Sequence, residues 1–152
     1  MQAISNAFQK KIESLVSFLN EIAKGFERIA EEIDNDSLKT AMIAVAMESE
    51  QYAAEIKGQV AYINTEMMLS GNTTIWNEIE MNTEQQAVLV KGGEIDALCN
   101  NCDAYFTRLY EDVLMENCIY KNFKDIITYQ LYAAKCAFMK IKLLNTIRFN
   151  NN

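Results

Sequence analysis

Histidine and proline are both absent from this chain of 152 residues, and glycine occurs only five times. Proline breaks helices and is common in turns, so its absence favours a few long helices joined by few loops. Half of the residues are hydrophobic and 23% are charged, which is the composition of a globular protein. The length is sufficient for one domain, residues 1–152, with a core of its own.

Long apolar runs are also lacking. None approaches the roughly 18 residues that a membrane-spanning helix requires, and the N-terminal MQAISNAFQKKIES has no apolar signal-peptide core. We therefore expect no membrane span and a cytoplasmic location. The cysteines, at positions 99, 102, 118 and 136, are too few and too clustered for a disulfide scaffold.

Basic residues are outnumbered, and the formal net charge of −7 argues against nucleic-acid binding, which depends on neutralising phosphates. The imbalance is uneven. Residues 1–120 contain 8 Lys and Arg against 20 Asp and Glu, whereas residues 121–152 contain 6 against 1. Two interpretations remain open: the last segment is a basic helix beside acidic neighbours, which we favour, or it is a basic docking face.

Apolar residues recur every three or four positions in four segments of the chain. This pattern predicts an all-α fold with helices at about 6–33, 37–64, 84–115 and 118–148. The short link between the first two helices makes them an antiparallel hairpin. In the last helix the predicted core stripe consists of Phe123, Ile126, Tyr129, Tyr132, Cys136, Met139 and Leu143.

Two helix starts carry capping signals, and one long connection does not follow any period. Asp36 is the predicted cap of the second helix, and Thr83 with Gln86 fits a capping box for the third. Residues 65–83 between these helices form the predicted crossover. Its apolar side chains indicate a segment that packs across the bundle with Trp76 buried; they include Met67, Met68, Ile75 and Trp76.

The two predicted hairpins match each other at an offset of 80 residues without a gap. The segment 26–29, Phe-Glu-Arg-Ile, matches 106–109, Phe-Thr-Arg-Leu, and Tyr-Ala-Ala occurs at both 52–54 and 132–134. We interpret this as a duplication. Two like hairpins joined by one long crossover are the plan of a ferritin-like four-helix bundle.

Several short motifs in this order and spacing resemble the bacterial ferritin-like domain-of-unknown-function family 2383, over about residues 15–146. The resemblance rests on Leu19-Asn20-Glu21-Ile22, Asp36-Ser37-Leu38-Lys39, Gln51-Tyr52-Ala53-Ala54-Glu55-Ile56, Cys99 with Asp103, and Gln130-Leu131. The chain departs from that family at Leu98-Cys99, where an acid usually precedes the cysteine, and at Phe138-Met139, where a His-Asp pair is frequent. The resemblance implies a fold and self-association, and no established activity.

Three glutamates, Glu48, Glu50 and Glu55, lie within one predicted helix, and clustered glutamates hold the metal of di-iron bundles. Such a centre also requires Glu-x-x-His on two helices, and this chain has no histidine. At about 100° per residue, Glu48 and Glu55 fall on the flank of the apolar stripe and Glu50 on the solvent side. We therefore predict a helix edge here, with no metal and no other cofactor.

The segment Cys99-Asn100-Asn101-Cys102 has the spacing of a zinc or thiol-exchange motif. Metal binding would need further ligands, for which Asp103 and Cys136 are weak candidates. The motif lies in the middle of a predicted helix, and a buried free cysteine acts as a small hydrophobe. Core filling is the favoured interpretation, and a mixed metal or thiol site is the alternative.

No catalytic group emerges from these patterns. We predict a non-enzymatic structural or stress-associated protein that acts through self-association as a homodimer. One alternative is a small apolar ligand held in a cavity near Tyr52, Gln59, Gln130 and Tyr132, because buried hydroxyls and amides need partners. Another is residual metal or thiol redox chemistry through Glu48, Cys99 and Cys102.

Overall fold

The computed structural model describes residues 6–61, 73–87, 93–116 and 120–150, and these ranges contain helices and no strands. The all-α prediction is therefore confirmed for the described part of the chain. The described ranges contain five helices where four were predicted. Their bounds are α1 Asn6–Ala30, α2 Asp36–Ala61, α3 Ile75–Ala87, α4 Gly93–Leu114 and α5 Lys121–Asn150.

The predicted third helix, 84–115, is wrong at its start. Residues 75–83 of the predicted crossover belong to α3, and Gly93 is the first described residue of α4. Thr83 therefore lies inside α3 and does not cap a helix. The buried residues of α3 occupy its first turn and a half, which is too short a stretch to show a helical period. Met67 and Met68 of the crossover lie outside the described residues.

The cap of α2 also differs from the prediction. The side chain of Asn35 accepts a hydrogen bond from the Leu38 amide at 3.0 Å, so Asn35 caps the helix and Asp36 is its first residue. The carboxylate of Asp36 still stands in the first turn, where it interacts favourably with the helix dipole. The local signal was correct in kind and displaced by one residue.

The four longest helices pack around one core. Helix α1 packs on α2 and α4, and α5 packs on α4 and α2. Lys11 of α1 bonds Glu116, two residues beyond the end of α4, at 2.8 Å, so the start of one helix meets the end of the other. Tyr120 at the start of α5 likewise reaches Gln59 near the end of α2, at 2.6 Å. Since α1 and α2 form a hairpin, α2 and α4 run in the same direction.

The burial pattern of the first hairpin recurs in the second, but not at a single offset. Buried residues of α1 recur in α4 at an offset of 80, as predicted. Those of α2 recur in α5 at an offset of 85, so the ungapped repeat is wrong for the second helix of each hairpin. The buried pairs are Leu38 and Phe123, Met42 and Ile127, Val45 and Gln130, Ala46 and Leu131, Ser49 and Ala134, Ala53 and Phe138, Ile56 and Ile141, and Val60 and Asn145.

This shift of five residues places the predicted core stripe of α5 on the wrong side of the helix. Five residues rotate a helix face by about 140°. Tyr129, Tyr132, Met139 and Leu143 are 68%, 63%, 65% and 61% exposed, and Cys136 is also exposed. Of the predicted stripe, Phe123 is buried. The core side of α5 is the other apolar face of the helix.

Helix α3 lies against α4 and α1, and Trp76 anchors it there. The indole is buried, as predicted, and its ring centroid lies 6.2 Å from that of Phe26. Its Nε1 donates to Glu80, which also forms an ion pair with Arg28 of α1. Gly25 lets the indole approach α1 closely, because a Cβ there would lie 2.0 Å from the Trp76 ring.

Replacing Gly25 with alanine tests this close approach. We expect the added methyl group to displace Trp76 and to lower the free energy of unfolding by about 1–3 kcal/mol, the usual cost of overpacking. The matched control is Gly58→Ala in α2, where nothing lies within 4 Å of the added Cβ. That change should stabilise the protein by about 0.5–1 kcal/mol through helix propensity. Urea denaturation followed by tryptophan fluorescence measures both, and equal effects would contradict the packing.

Candidate functional site

The three cysteines that the structure describes do not converge on one site. Cys99 and Cys102 are buried in the core on α4, whereas Cys136 is exposed on the outer side of α5. The carboxylate of Asp103 accepts a hydrogen bond from Lys135 at 3.2 Å. Among the residues that the structure describes, no three His, Cys, Asp or Glu side chains are grouped closely enough to hold a metal ion.

Burial also suppresses the reactivity of the two core thiols. It raises the pKa of Cys99 to about 12, with the nearby Lys142 opposing the rise and Asp96 and Asp103 adding to it. It raises the pKa of the fully buried Cys102 well above its ordinary value, and Cys99 adds to that rise. Because the thiolate is the nucleophile and the metal ligand, these thiols are suited to packing and not to redox or metal chemistry at neutral pH.

The glutamates of α2 occupy the edge of the bundle. Glu48 and Glu55 are half-buried at the flank of the apolar stripe and Glu50 is exposed, as the helix geometry predicts. Glu55 accepts hydrogen bonds from Gln130 at 2.9 Å and from Gln51 at 3.3 Å. Glu55 is therefore part of a hydrogen-bond network that joins α2 to α5.

Gln130 is the centre of that network. It is completely buried, and its amide oxygen accepts from the Tyr110 hydroxyl at 2.9 Å. Its amide nitrogen donates to Glu55 and to the backbone oxygen of Tyr52 at 3.3 Å. The side chain thus ties α5 to both α4 and α2. A buried polar network of this kind makes one arrangement of the helices much better satisfied than others.

The four residues of the predicted ligand cavity have different surroundings. The amide oxygen and nitrogen of Gln130 both form hydrogen bonds within the network. Gln59 accepts a hydrogen bond from the Tyr120 hydroxyl at 2.6 Å, and Tyr132 is exposed to solvent. The expectation that Gln59 and Gln130 satisfy tyrosine hydroxyls is correct in kind, but their partners are Tyr120 and Tyr110. Tyr52 lines a groove.

That groove lies between α2 and α5 and has a volume of about 350 Å³. Its walls are mostly small side chains, with Glu48 on one helix and Lys140 on the other. Within the described residues neither of these two has a salt-bridge partner. The lining residues are Ala41, Ala44, Val45, Glu48, Tyr52, Tyr129, Ala133, Cys136, Ala137 and Lys140.

Tyr52 stands in this groove as a neutral phenol. Burial raises its pKa to about 12, and the carboxylate of Glu48 is the next cause, followed by Tyr129 and Glu55. The groove therefore presents an uncharged phenol ring, small apolar walls and one charge of each sign. It has a shape and a polarity that suit a protruding side chain.

A stripe of exposed side chains on α5 borders the groove and shares Tyr129 and Cys136 with its lining. We call it the outer stripe: Tyr129, Tyr132, Cys136, Met139 and Leu143. Their spacing alternates between three and four residues, which is the heptad pattern of helices that pack on a partner helix. Ile147 continues the apolar surface at 46% exposure. Sequence reasoning found these residues and assigned them to the core. The signal that it missed is a second apolar face on the same helix.

No family model, curated protein or solved structure matches this chain. None of the described helices is long and apolar enough to cross a membrane. The α2–α5 surface is therefore interpreted from its own geometry.

Gln130→Leu tests whether the buried network acts as a unit. The variant keeps the volume and leaves the buried Tyr110 hydroxyl without its partner, so it should lower the free energy of unfolding by about 1–3 kcal/mol. Tyr110→Phe should cost about 1 kcal/mol. The double variant replaces both partners with apolar groups and should cost less than the sum of the two. Urea denaturation of all four proteins gives the coupling, and strictly additive costs would refute it.

Proposed function

We propose that this protein is a non-enzymatic structural bundle that acts through self-association on the outer stripe of α5. The observation that carries the proposal is that five successive heptad positions on the solvent side of one helix are apolar or cysteine and exposed. A monomer would leave these side chains in water, since the opposite face of α5 already packs in its own core. Heptad seams are buried by partner helices.

The size of the exposed surface supports this proposal. The outer stripe and Ile147 expose on the order of 500 Å² of side-chain surface, given that aromatic side chains carry roughly 150–250 Å² each. A contiguous apolar patch of this size matches the largest patch that a soluble monomer typically exposes, and such patches are often functional. A standard interface buries about 800 Å² per partner, and the neighbouring groove walls can supply the remainder.

The helix directions favour the ferritin-like plan within this proposal. Because α2 and α4 run in the same direction, the end of α2 and the start of α4 lie at opposite ends of the bundle, as do the two helices that the crossover of that plan joins. Helix α3 is then an addition within the crossover. The resemblance to the bacterial ferritin-like domain-of-unknown-function family 2383 points to the same plan and to self-association. Reduced cysteines suit the cytoplasm as the place where the protein works.

A second candidate function, binding of a small apolar ligand, is supported at the α2–α5 groove. Its 350 Å³ can hold a small molecule against Tyr52 and Tyr129. The groove is open along one side and adjoins the outer stripe, so a ligand and a second copy would compete for it. Thiol or metal chemistry at Cys99 and Cys102 has less support, because burial keeps both thiols protonated.

Sedimentation equilibrium at micromolar concentrations tests self-association. We expect the mass of a dimer for the unchanged protein and the mass of a monomer for Met139→Lys, which places a charge in the stripe. The matched control is Met81→Lys on α3, where the methionine is 60% exposed, against 65% for Met139. The control should remain dimeric. A monomeric unchanged protein, or equal effects of the two substitutions, would contradict the proposal.

A further inference from the structure

The outer stripe is nearly symmetric about Cys136. Tyr132 precedes it by four residues and Met139 follows by three, while Tyr129 and Leu143 lie seven residues to either side. The N-terminal half of the stripe is aromatic and the C-terminal half is aliphatic. An antiparallel pair of α5 helices centred on Cys136 therefore sets each tyrosine against Met139 or Leu143 of the other copy. Thioether and aromatic groups make favourable contacts.

The charges in the groove select the same arrangement. Within one chain, Gln130 meets Tyr52 and Tyr120 meets Gln59, so positions of α2 and α5 at the same height have numbers that sum to about 181. Glu48 is then level with Ala133, and Lys140 is level with Ala41. The two charges are separated by about seven residues along the helices, or roughly 10 Å. They line one groove without pairing.

From these observations we propose that a second copy of this chain is the occupant of the α2–α5 surface, with the two α5 helices antiparallel across a twofold axis at Cys136. The proposal rests on the self-association argued above and adds its geometry. At that register the partner's Lys140 is level with residue 132 of α5, and hence with Glu48 of α2. Each Glu48 meets the partner's Lys140, and the pair occurs twice.

The symmetry of an antiparallel pair makes this meeting possible. Its twofold axis is perpendicular to both helices, so the two copies of α2 lie on the same side of the interface. Lys140 lies on the flank of α5 that faces α2, because it lines the groove. A parallel pair would instead place the two copies of α2 on opposite sides of the interface, so each Lys140 would lie away from the partner's Glu48 and each tyrosine would be level with its own copy.

Cross-linking distinguishes the two directions. Two variants are made in a background with Cys118→Ser and Cys136→Ser, which retains the two buried thiols: one carries Tyr129→Cys and the other Leu143→Cys. A short bismaleimide should join the two variants when they are mixed and should join neither variant to itself. Peptide mapping identifies the linked positions. Links within each variant alone would show a parallel pair and overturn the proposal.

A charge exchange tests the contact between Glu48 and Lys140. Lys140→Glu should raise the dimer dissociation constant at least about tenfold, since two carboxylates then face each other twice. Glu48→Lys should have a similar effect. The double variant should return to within about threefold of the unchanged protein. Circular dichroism of each variant separates weaker pairing from unfolding, and a double variant weaker than either single one would refute the contact.

Self-association and the antiparallel geometry of the α5 pair can be refuted separately. A strictly monomeric unchanged protein removes self-association and this geometry together. A dimer whose cross-links join identical positions, or whose charge exchange does not restore pairing, removes the antiparallel register and leaves self-association in place.

Discussion

The rotation of α5 about its own axis is the constraint on which the rest of the structure depends. This helix has two apolar faces, and hydrophobicity alone does not say which one enters the core. Gln130 decides between them, because its amide is satisfied only where it meets Tyr110, Glu55 and the Tyr52 backbone at once. Turning the other face inward would expose Phe138 and leave the Tyr110 hydroxyl buried without its partner.

Once α5 is set in this way, its other features have definite places. Lys135 reaches Asp103 and Lys142 reaches Asn100, so part of the basic helix lies beside acidic and polar neighbours on α4, as the favoured interpretation of the charge pattern expected. Lys140 faces the opposite flank, toward α2, and lines a groove with Glu48. The same rotation turns the outer stripe to solvent. The core and the proposed interface are thus two consequences of one set of hydrogen bonds.

Much of the first hairpin could be predicted from the sequence, because α1 has one apolar face and its residues from Phe8 to Phe26 follow a single stripe. The helical class and the flank positions of Glu48 and Glu55 followed from the same reasoning. The rotation of helix α5 could not be predicted in this way, since the helix has two apolar stripes on different faces. One runs from Phe123 to Asn145 and the other from Tyr129 to Leu143, and their apolarity is comparable. The similarity of Tyr52-Ala53-Ala54 to Tyr132-Ala133-Ala134 then supported the wrong stripe. The offset of 85 residues between α2 and α5, five more than the offset between α1 and α4, is visible only in the burial pattern.

The site was predictable to a lesser degree. Tyr52 and Cys136 were recognised as candidates, but for a cavity and a metal site, and the structure places both on the groove between α2 and α5. Lys140 was not singled out, because an exposed lysine on a basic helix carries no signal without its neighbours. The tertiary contacts of Gln130 decide which face α5 turns to solvent, and no local sequence pattern indicates those contacts.

Hydroxyl-radical footprinting at increasing protein concentration tests the central claim most directly. Met139, Met81 and Met115 are 65%, 60% and 74% exposed in one chain, so their oxidation should be similar in dilute solution. If a second copy covers the outer stripe, Met139 becomes protected as the concentration rises, while Met81 and Met115 remain open to oxidation. If the oxidation of Met139 instead stays equal to that of Met81 and Met115 at every concentration, a second copy of the chain does not cover the outer face of α5.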